Sequence, residues 1–258
     1  MPPEETEAME EVRVRTAPVS RDWASLYLPI AIVLAGALVG RGLFFGLSRG
    51  GSSGAQTGPT PAKVNIKDVK TAGEPFIGPA NAKVVLAFWA DFQCPFCKAV
   101  ETGGVPQITT PAAIPDLIKM YVDTGKMRIV FKDYPFLGKD SITGGEYARA
   151  VWDLYPAQYF AFRTAMYNAQ DAEGDTGFGN AVSIDKLIKT KFSQMDGAKI
   201  KQTVAANKAK YDTAMDADRV EGTSFGVQGT PAFITGTTLI DGAQALSAFT
   251  TAIDAQLK

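Results

Sequence analysis

Histidine is missing from all 258 residues of this chain, and cysteine occurs only twice. The first absence rules out Ser-His and Cys-His catalytic pairs and removes the commonest zinc and copper ligand. A soft-metal site on two thiolates ordinarily recruits further Cys, His or Met. Met120 and Met127 are the nearest candidates here, and core packing explains them more simply. No metal and no cofactor are expected. Neither sign of charge is in excess: 26 Lys and Arg face 27 Asp and Glu, so nothing points to nucleic acid. The chain is 46% apolar, which is ample material for one folded domain plus extra segments.

The two cysteines are placed as Cys94-Pro95-Phe96-Cys97, directly after the apolar run from Val84 to Ala90. Two cysteines scattered at random would show this spacing roughly once in a hundred, so a pair of inert buried thiols is the weaker reading. A buried strand ending at a helix with Cys94 at the N-cap would put Pro95 at the first helical position, where its missing N–H costs nothing. The Cys94 sulfur would then face free N–H groups and the positive end of the helix dipole, both of which stabilise a thiolate. Cys97 follows one turn later, within reach of a disulfide. The spacing therefore predicts a redox pair in which Cys94 attacks and Cys97 resolves the mixed disulfide. Phe96 is expected to be exposed as an apolar landing surface, and Phe92 either shares that surface or joins the core. Trp89 reads as core. Asp91 reads as a solvated loop acid, with capping of the turn or proton movement as the alternatives.

The run Phe88-Trp89-Ala90-Asp91-Phe92-Gln93-Cys94-Pro95-Phe96-Cys97, taken with Gly226-Val227-Gln228-Gly229-Thr230-Pro231-Ala232-Phe233-Ile234, resembles the DsbA-like branch of the thioredoxin-fold thiol-disulfide oxidoreductases. The resemblance covers about residues 64 to 258. It implies an α/β thioredoxin-like fold with a helical insertion, and a cis proline at Pro231 lying against the dithiol. It implies that Thr230 and Pro231 bind an extended peptide substrate beside Pro95 and Phe96, and that Pro95 and Phe96 tune the redox poise. The implied activity is disulfide exchange with exported proteins carrying thiols or disulfides, in the oxidising direction, with reoxidation by a membrane or extracytoplasmic redox partner. A reductase or isomerase using the same dithiol is the alternative, and a binding module with structural cysteines is a third class. Two positions depart from the family pattern. Phe96 stands where many members have a histidine, and Phe88 where many have a buried carboxylate six residues before the first cysteine.

Three segments precede this domain. Residues 1–22 carry five glutamates with prolines and little apolar content, which reads as a disordered cytoplasmic tail. Trp23 to Gly40 contains no charge, and a further apolar stretch follows Arg41, so residues 23–47 read as a transmembrane anchor with Trp23 and Tyr27 at one interface. A cleaved signal peptide is the rival, disfavoured by the long acidic flank before the apolar core. Residues 48–63, rich in Gly, Ser and Pro, read as a flexible linker. Arginine counts on the two sides barely differ. The dithiol decides the orientation, because an oxidant persists only in an oxidising compartment. The expectation is a single-pass cell-membrane protein with a cytoplasmic N-terminus and an extracytoplasmic catalytic domain.

Within residues 64–258, apolar patterning predicts strands at Val64–Ile66, Lys83–Ala90 and Met127–Lys132, and a hairpin of 232–235 with 238–240. It also predicts a helix from about Ala112 to Thr124-Gly125 and a final helix marked by Leu246, Phe249, Ile253 and Leu257. Pro231 lies too far beyond Cys97 for a bare core. Helical spacings of apolar residues between them predict a helical insert over roughly 140–222, with Ser141 as its first N-cap.

Overall fold

The computed structural model describes residues 64–171 and 177–258. The tail, the anchor and the linker expected over residues 1–63 lie outside the described residues. No helix among the described residues is long and apolar enough to cross a membrane.

Five described strands form one mixed sheet, β1 (Phe76–Ile77), β2 (Val84–Ala90), β3 (Met127–Asp133), β4 (Ala232–Thr235) and β5 (Thr238–Asp241), in the order β1-β3-β2-β4-β5. β2 and β3 run parallel, and the other pairings are antiparallel. β2 is buried from both sides, and its period of two divides it. Val84, Leu86, Phe88 and Ala90 enter the larger core, while Ala87 and Trp89 enter a smaller one with Val64, Val69, Val227 and Ile234. Each such large side chain contributes about 1.5–3 kcal/mol on burial. In the larger core Phe88 stacks on Phe233 with centroids 4.3 Å apart, and Phe233 meets Phe249 edge-on at 4.8 Å.

The helices are α1 (Pro95–Glu101), α2 (Ala113–Leu117), α3 (Lys139–Leu154), α4 (Tyr159–Ala169), α5 (Ala181–Lys191), α6 (Gly197–Ser224) and α7 (Leu246–Leu257). α3 to α6 form the insertion between β3 and β4, close to the span that periodicity indicates. The 28-residue α6 runs along α3 and ends against the sheet, where Trp89 Nε1 donates to Asp218 O at 2.9 Å. Beside that contact Lys132 is paired with Asp218, Glu221 (3.0 Å) and Glu74 (3.3 Å), and Arg149 bridges Asp133 and Asp218 at 2.6 Å each. This network ties β3, α3 and α6 together. Removing one member would leave a buried charge uncompensated.

Several local expectations are corrected. Val64–Ile66 is not a strand: Asn65 accepts from Lys67 N and turns the chain into a short 3-10 segment, Ile66–Asp68. The edge strand β1 is only two residues long, too short for an alternation signal. α3 starts one turn earlier than Ser141 implied. Its N-cap is Gly138 at φ 100°, a backbone that glycine adopts without steric cost, and Ser141 sits buried in the first turn. The helix expected from Ala112 is α2 running on into a π-type turn, Ile118–Val122, before Gly125 at φ 75° ends it.

Candidate active site

β2 delivers the chain to the site. After Ala90, the turn Asp91–Gln93 leads to Cys94 at the N-cap of α1 with extended backbone angles, Pro95 at the first helical position and Cys97 one turn inside. The turn is pinned from three directions. Asp91 Oδ1 accepts from Gln93 N at 2.8 Å, and Oδ2 accepts from Phe136 N at 2.9 Å and Leu137 N at 3.2 Å. Gln170 Nε2 donates to Phe92 O at 2.8 Å and Cys94 O at 3.1 Å, and the Tyr167 hydroxyl donates to Asp91 O at 3.3 Å. Asp91 is therefore no solvated loop acid. It is 2% exposed, and burial raises its pKa against the three N–H donors that lower it. Its carboxyl is structural, holding the turn closed against the start of the insertion.

The dithiol is asymmetric. Both cysteines are buried and present as free thiols, with Cys97 fully enclosed. The Cys94 thiol donates to Thr230 O at 3.3 Å, from the loop before β4. Thr230 Oγ1 is buried and has no hydrogen-bond partner among the described residues, so the hydroxyl is free to donate once Cys94 ionises. The pKa of Cys94 is lowered, first by hydrogen bonding from the Cys97 thiol, with further help from Thr230 and the N–H groups of Cys97 and Phe96, against desolvation. Cys97 moves the other way, pushed well up by burial and then by the adjacent Cys94. One thiolate thus has donors, and its neighbour stays a thiol.

Thr230 and Pro231 come from about 136 residues downstream to lie against Cys94, and their peptide bond is cis. Phe96 is 51% exposed on the rim and Phe92 is buried, stacked on Tyr167 at 5.4 Å, so of these two rings Phe96 is the one that offers a landing surface. Phe88 is buried, and no carboxylate occupies its position. Sequence reading missed the equally exposed Phe136, whose N–H is held by Asp91 and whose ring lies edge-on to Tyr134. It also missed Tyr167 and Gln170 of the insertion, and an enclosed ion pair of Glu101 with Arg163 at 2.7 Å. The Pro135-Phe136 step after β3 carries a faint turn signal; the other four residues carry none.

Comparison with known proteins bears on the family and the fold. A family model described as thioredoxin matches residues 70–255. The probable disulfide bond formation protein D of Bacillus anthracis is 24% identical over 155 residues, covering 60% of this chain and 66% of that protein, so the chain spans slightly less than two thirds of this relative's length. The disulfide bond formation protein D of Bacillus subtilis is 26% identical over 98 residues, 38% of this chain and 40% of that protein. Among solved structures, the thiol-disulfide exchange protein α-DsbA2 of Wolbachia pipientis is similar at TM-score 0.57 and 26% identity, covering 70% of this chain and 86% of that one. Oxidised BdbD of Bacillus subtilis reaches TM-score 0.62 over 77% of this chain and 97% of that one, at 19% identity, a likeness of fold.

Proposed function

The chain belongs to the thioredoxin family, and on that premise we infer that it is a DsbA-like thiol-disulfide oxidoreductase acting chiefly as a disulfide-forming oxidase on exported proteins. The observation that carries the reading is the asymmetric dithiol, with Cys94 favoured as thiolate and Cys97 held as thiol. In the oxidising direction a client thiolate attacks Cys94 Sγ of the disulfide, and Cys97 departs with the electron pair and gains a proton. A second client thiolate then attacks the client sulfur of the mixed disulfide and releases Cys94 as a thiolate. Stabilising that thiolate stabilises the reduced protein, which makes the disulfide a better oxidant. The names of the Bacillus relatives, which speak of disulfide bond formation, support the same direction.

An extended client segment would pair with the backbone at Thr230 beside Pro231, with its apolar side chains against Pro95, Phe96 and Phe136. The catalytic domain is held outside the cytoplasm by residues 23–47, with residues 1–22 inside, and an extracytoplasmic or membrane partner reoxidises it. What supports the anchor is the uncharged run after Trp23 and the need of an oxidant for an oxidising compartment.

The test uses the full chain in detergent, equilibrated against glutathione. A reduction potential above roughly −200 mV supports the oxidase direction, and one near roughly −270 mV overturns it in favour of a reductase. Cys97→Ala should accumulate mixed disulfides with client proteins and Cys94→Ala should not; the reverse pattern would exchange their roles. In intact cells with a permeable outer envelope, added protease should digest a tag at Lys258 and spare one at Met1. Protection of the C-terminal tag would reject the topology.

A further inference from the structure

On the face of the sheet that carries Trp89, β3 presents two cations whose surroundings differ. Arg128 and Lys132 are opposite Val85 and Trp89 in the parallel register, so the period of two puts both on that face. Lys132 is enclosed among Asp218, Glu221 and Glu74. Arg128 has no carboxylate partner among the described residues. Its Nη2 donates to Thr71 Oγ1 at 3.2 Å, its guanidinium lies 5.9 Å from the centre of the Phe76 ring, and its Nε is buried without a hydrogen-bond partner. A half-buried guanidinium with bare donors is costly until an acceptor reaches it.

Arg128 lines a cleft of about 500 Å³. The short segment Ile66–Asp68 makes one wall, and Ile66 N donates to Gly236 O at 2.7 Å, which ties that wall to the turn between β4 and β5. Val85 and Val69 give the cleft apolar lining, and two exposed lysines, Lys67 and Lys83, add to its charge. Lys83 Nζ donates to Leu257 O at 3.2 Å, and neither lysine is paired with a carboxylate among the described residues. No Asp or Glu among them lines the cleft. The nearby acids are engaged elsewhere or stand apart: Glu74 pairs with Lys132 and Arg149, Asp254 accepts from the Tyr121 hydroxyl at 2.8 Å, and Asp68 is exposed outside the lining. The cleft is also remote from the dithiol. Val85 and Ala90 are five residues apart on β2, roughly 17 Å, and Cys94 follows beyond Ala90.

We propose that this cleft binds a phosphate ester, with the phosphate held by Arg128, Lys67 and Lys83 and the organic part resting on Ile66, Val69 and Val85. The cation set selects the class. A carboxylate brings one charge and two oxygens, whereas a phosphate brings more charge and more acceptor oxygens, which suits a guanidinium fork flanked by two ammonium groups. The apolar lining and a volume in the range of organic-ligand pockets suit an ester better than the bare ion. A soluble phosphate ester and the headgroup of an anionic phospholipid share this chemistry.

The test uses the full chain in a nonionic detergent, with two arms. Calorimetric titration with glycerol 3-phosphate measures a soluble ester. Adding phosphatidylglycerol to the micelles, with phosphatidylcholine as the reference, measures a headgroup. In both arms the nitrogen-15 resonance of Arg128 Nε reports occupancy of the cleft. Saturable binding with a shift of that resonance is expected in at least one arm; the soluble arm alone assigns a free ester, and the lipid arm assigns a membrane headgroup. The double variant Lys67→Gln with Lys83→Gln should weaken binding roughly tenfold or more, since each lost partner is a charged hydrogen-bond donor. Both lysines are exposed, so the fold should survive the change. Lys186→Gln with Lys189→Gln removes the same charge from exposed positions of α5 and should leave binding nearly unchanged. Exchange of the dithiol with glutathione should proceed equally in all these proteins. No saturable binding in either arm, an Arg128 resonance that does not move, or equal weakening by the two lysine pairs overturns the proposal.

Discussion

At the scale of single residues, the chemistry depends on which donors face each sulfur. As a thiolate, Cys94 would collect the Cys97 thiol, the N–H groups of the first turn of α1 and the Thr230 hydroxyl, all short-range and none carrying a full charge. Phe96, exposed between the cysteines, adds no charge. A histidine there would place a partial or full positive charge beside the thiolate, stabilise the reduced form and strengthen the oxidant. Phe96→His should therefore lower the Cys94 pKa and raise the reduction potential together, on the scale of about 30 mV per 1.4 kcal/mol. Thiolate absorbance against pH and equilibration with glutathione measure the two. An unchanged potential in a folded variant would show that the dipeptide between the cysteines does not set the poise.

Among elements, the contact that orients the insertion is the crossing of α6 over the far face of β2. Gly222 sits where a Cβ would lie 2.8 Å from Trp89 Nε1, and the same indole nitrogen bonds to Asp218 O one turn earlier. Neither backbone can retreat easily, because Asp218 is also held by Lys132 and Arg149. Gly222→Ala should destabilise the domain by about 1–3 kcal/mol through overpacking, despite alanine's better helix propensity, which alone would stabilise by about 1 kcal/mol. Urea denaturation decides between the two effects. A midpoint that rises would mean that the helix end shifts freely and that the crossing is not tightly packed.

For the whole domain, the insertion and the helix that carries the cysteines meet at Glu101 and Arg163, so the ionisation of a buried carboxyl enters the stability. The Glu101 pKa is raised from 4.5 to about 7. The folded protein therefore holds a proton there that the unfolded chain releases between those values. This contribution is fully present below about pH 4.5 and is lost as pH rises through about 7. At about 1.4 kcal/mol per unit it amounts to at most about 3 kcal/mol. The urea midpoint of the wild-type protein should show this loss between about pH 5 and 7, and Glu101→Gln should show less of it. Equal slopes for the two proteins across that window would contradict the assignment of the proton to Glu101.

Much of this was legible along the chain because it is local. An apolar run ending at Cys94, a proline at the first helical position and a second cysteine one turn on specify a strand, a capped helix and a thiol facing that helix's N-terminus, whatever surrounds them. The period-2 division of β2 and the helical spacings of the insertion follow from the same short-range geometry. The remainder depended on partners far apart in the chain. Gln170 lies 76 residues from Cys94, and Arg163 lies 62 from Glu101. Asp91 reads as an ordinary loop acid until the segment after β3 folds over it and buries its carboxyl beneath two N–H groups. Burial and hydrogen-bond partnership are properties of assembled neighbours. Residue type, spacing and periodicity could therefore identify the dithiol, whereas the groups that pin its turn were settled only by long-range packing.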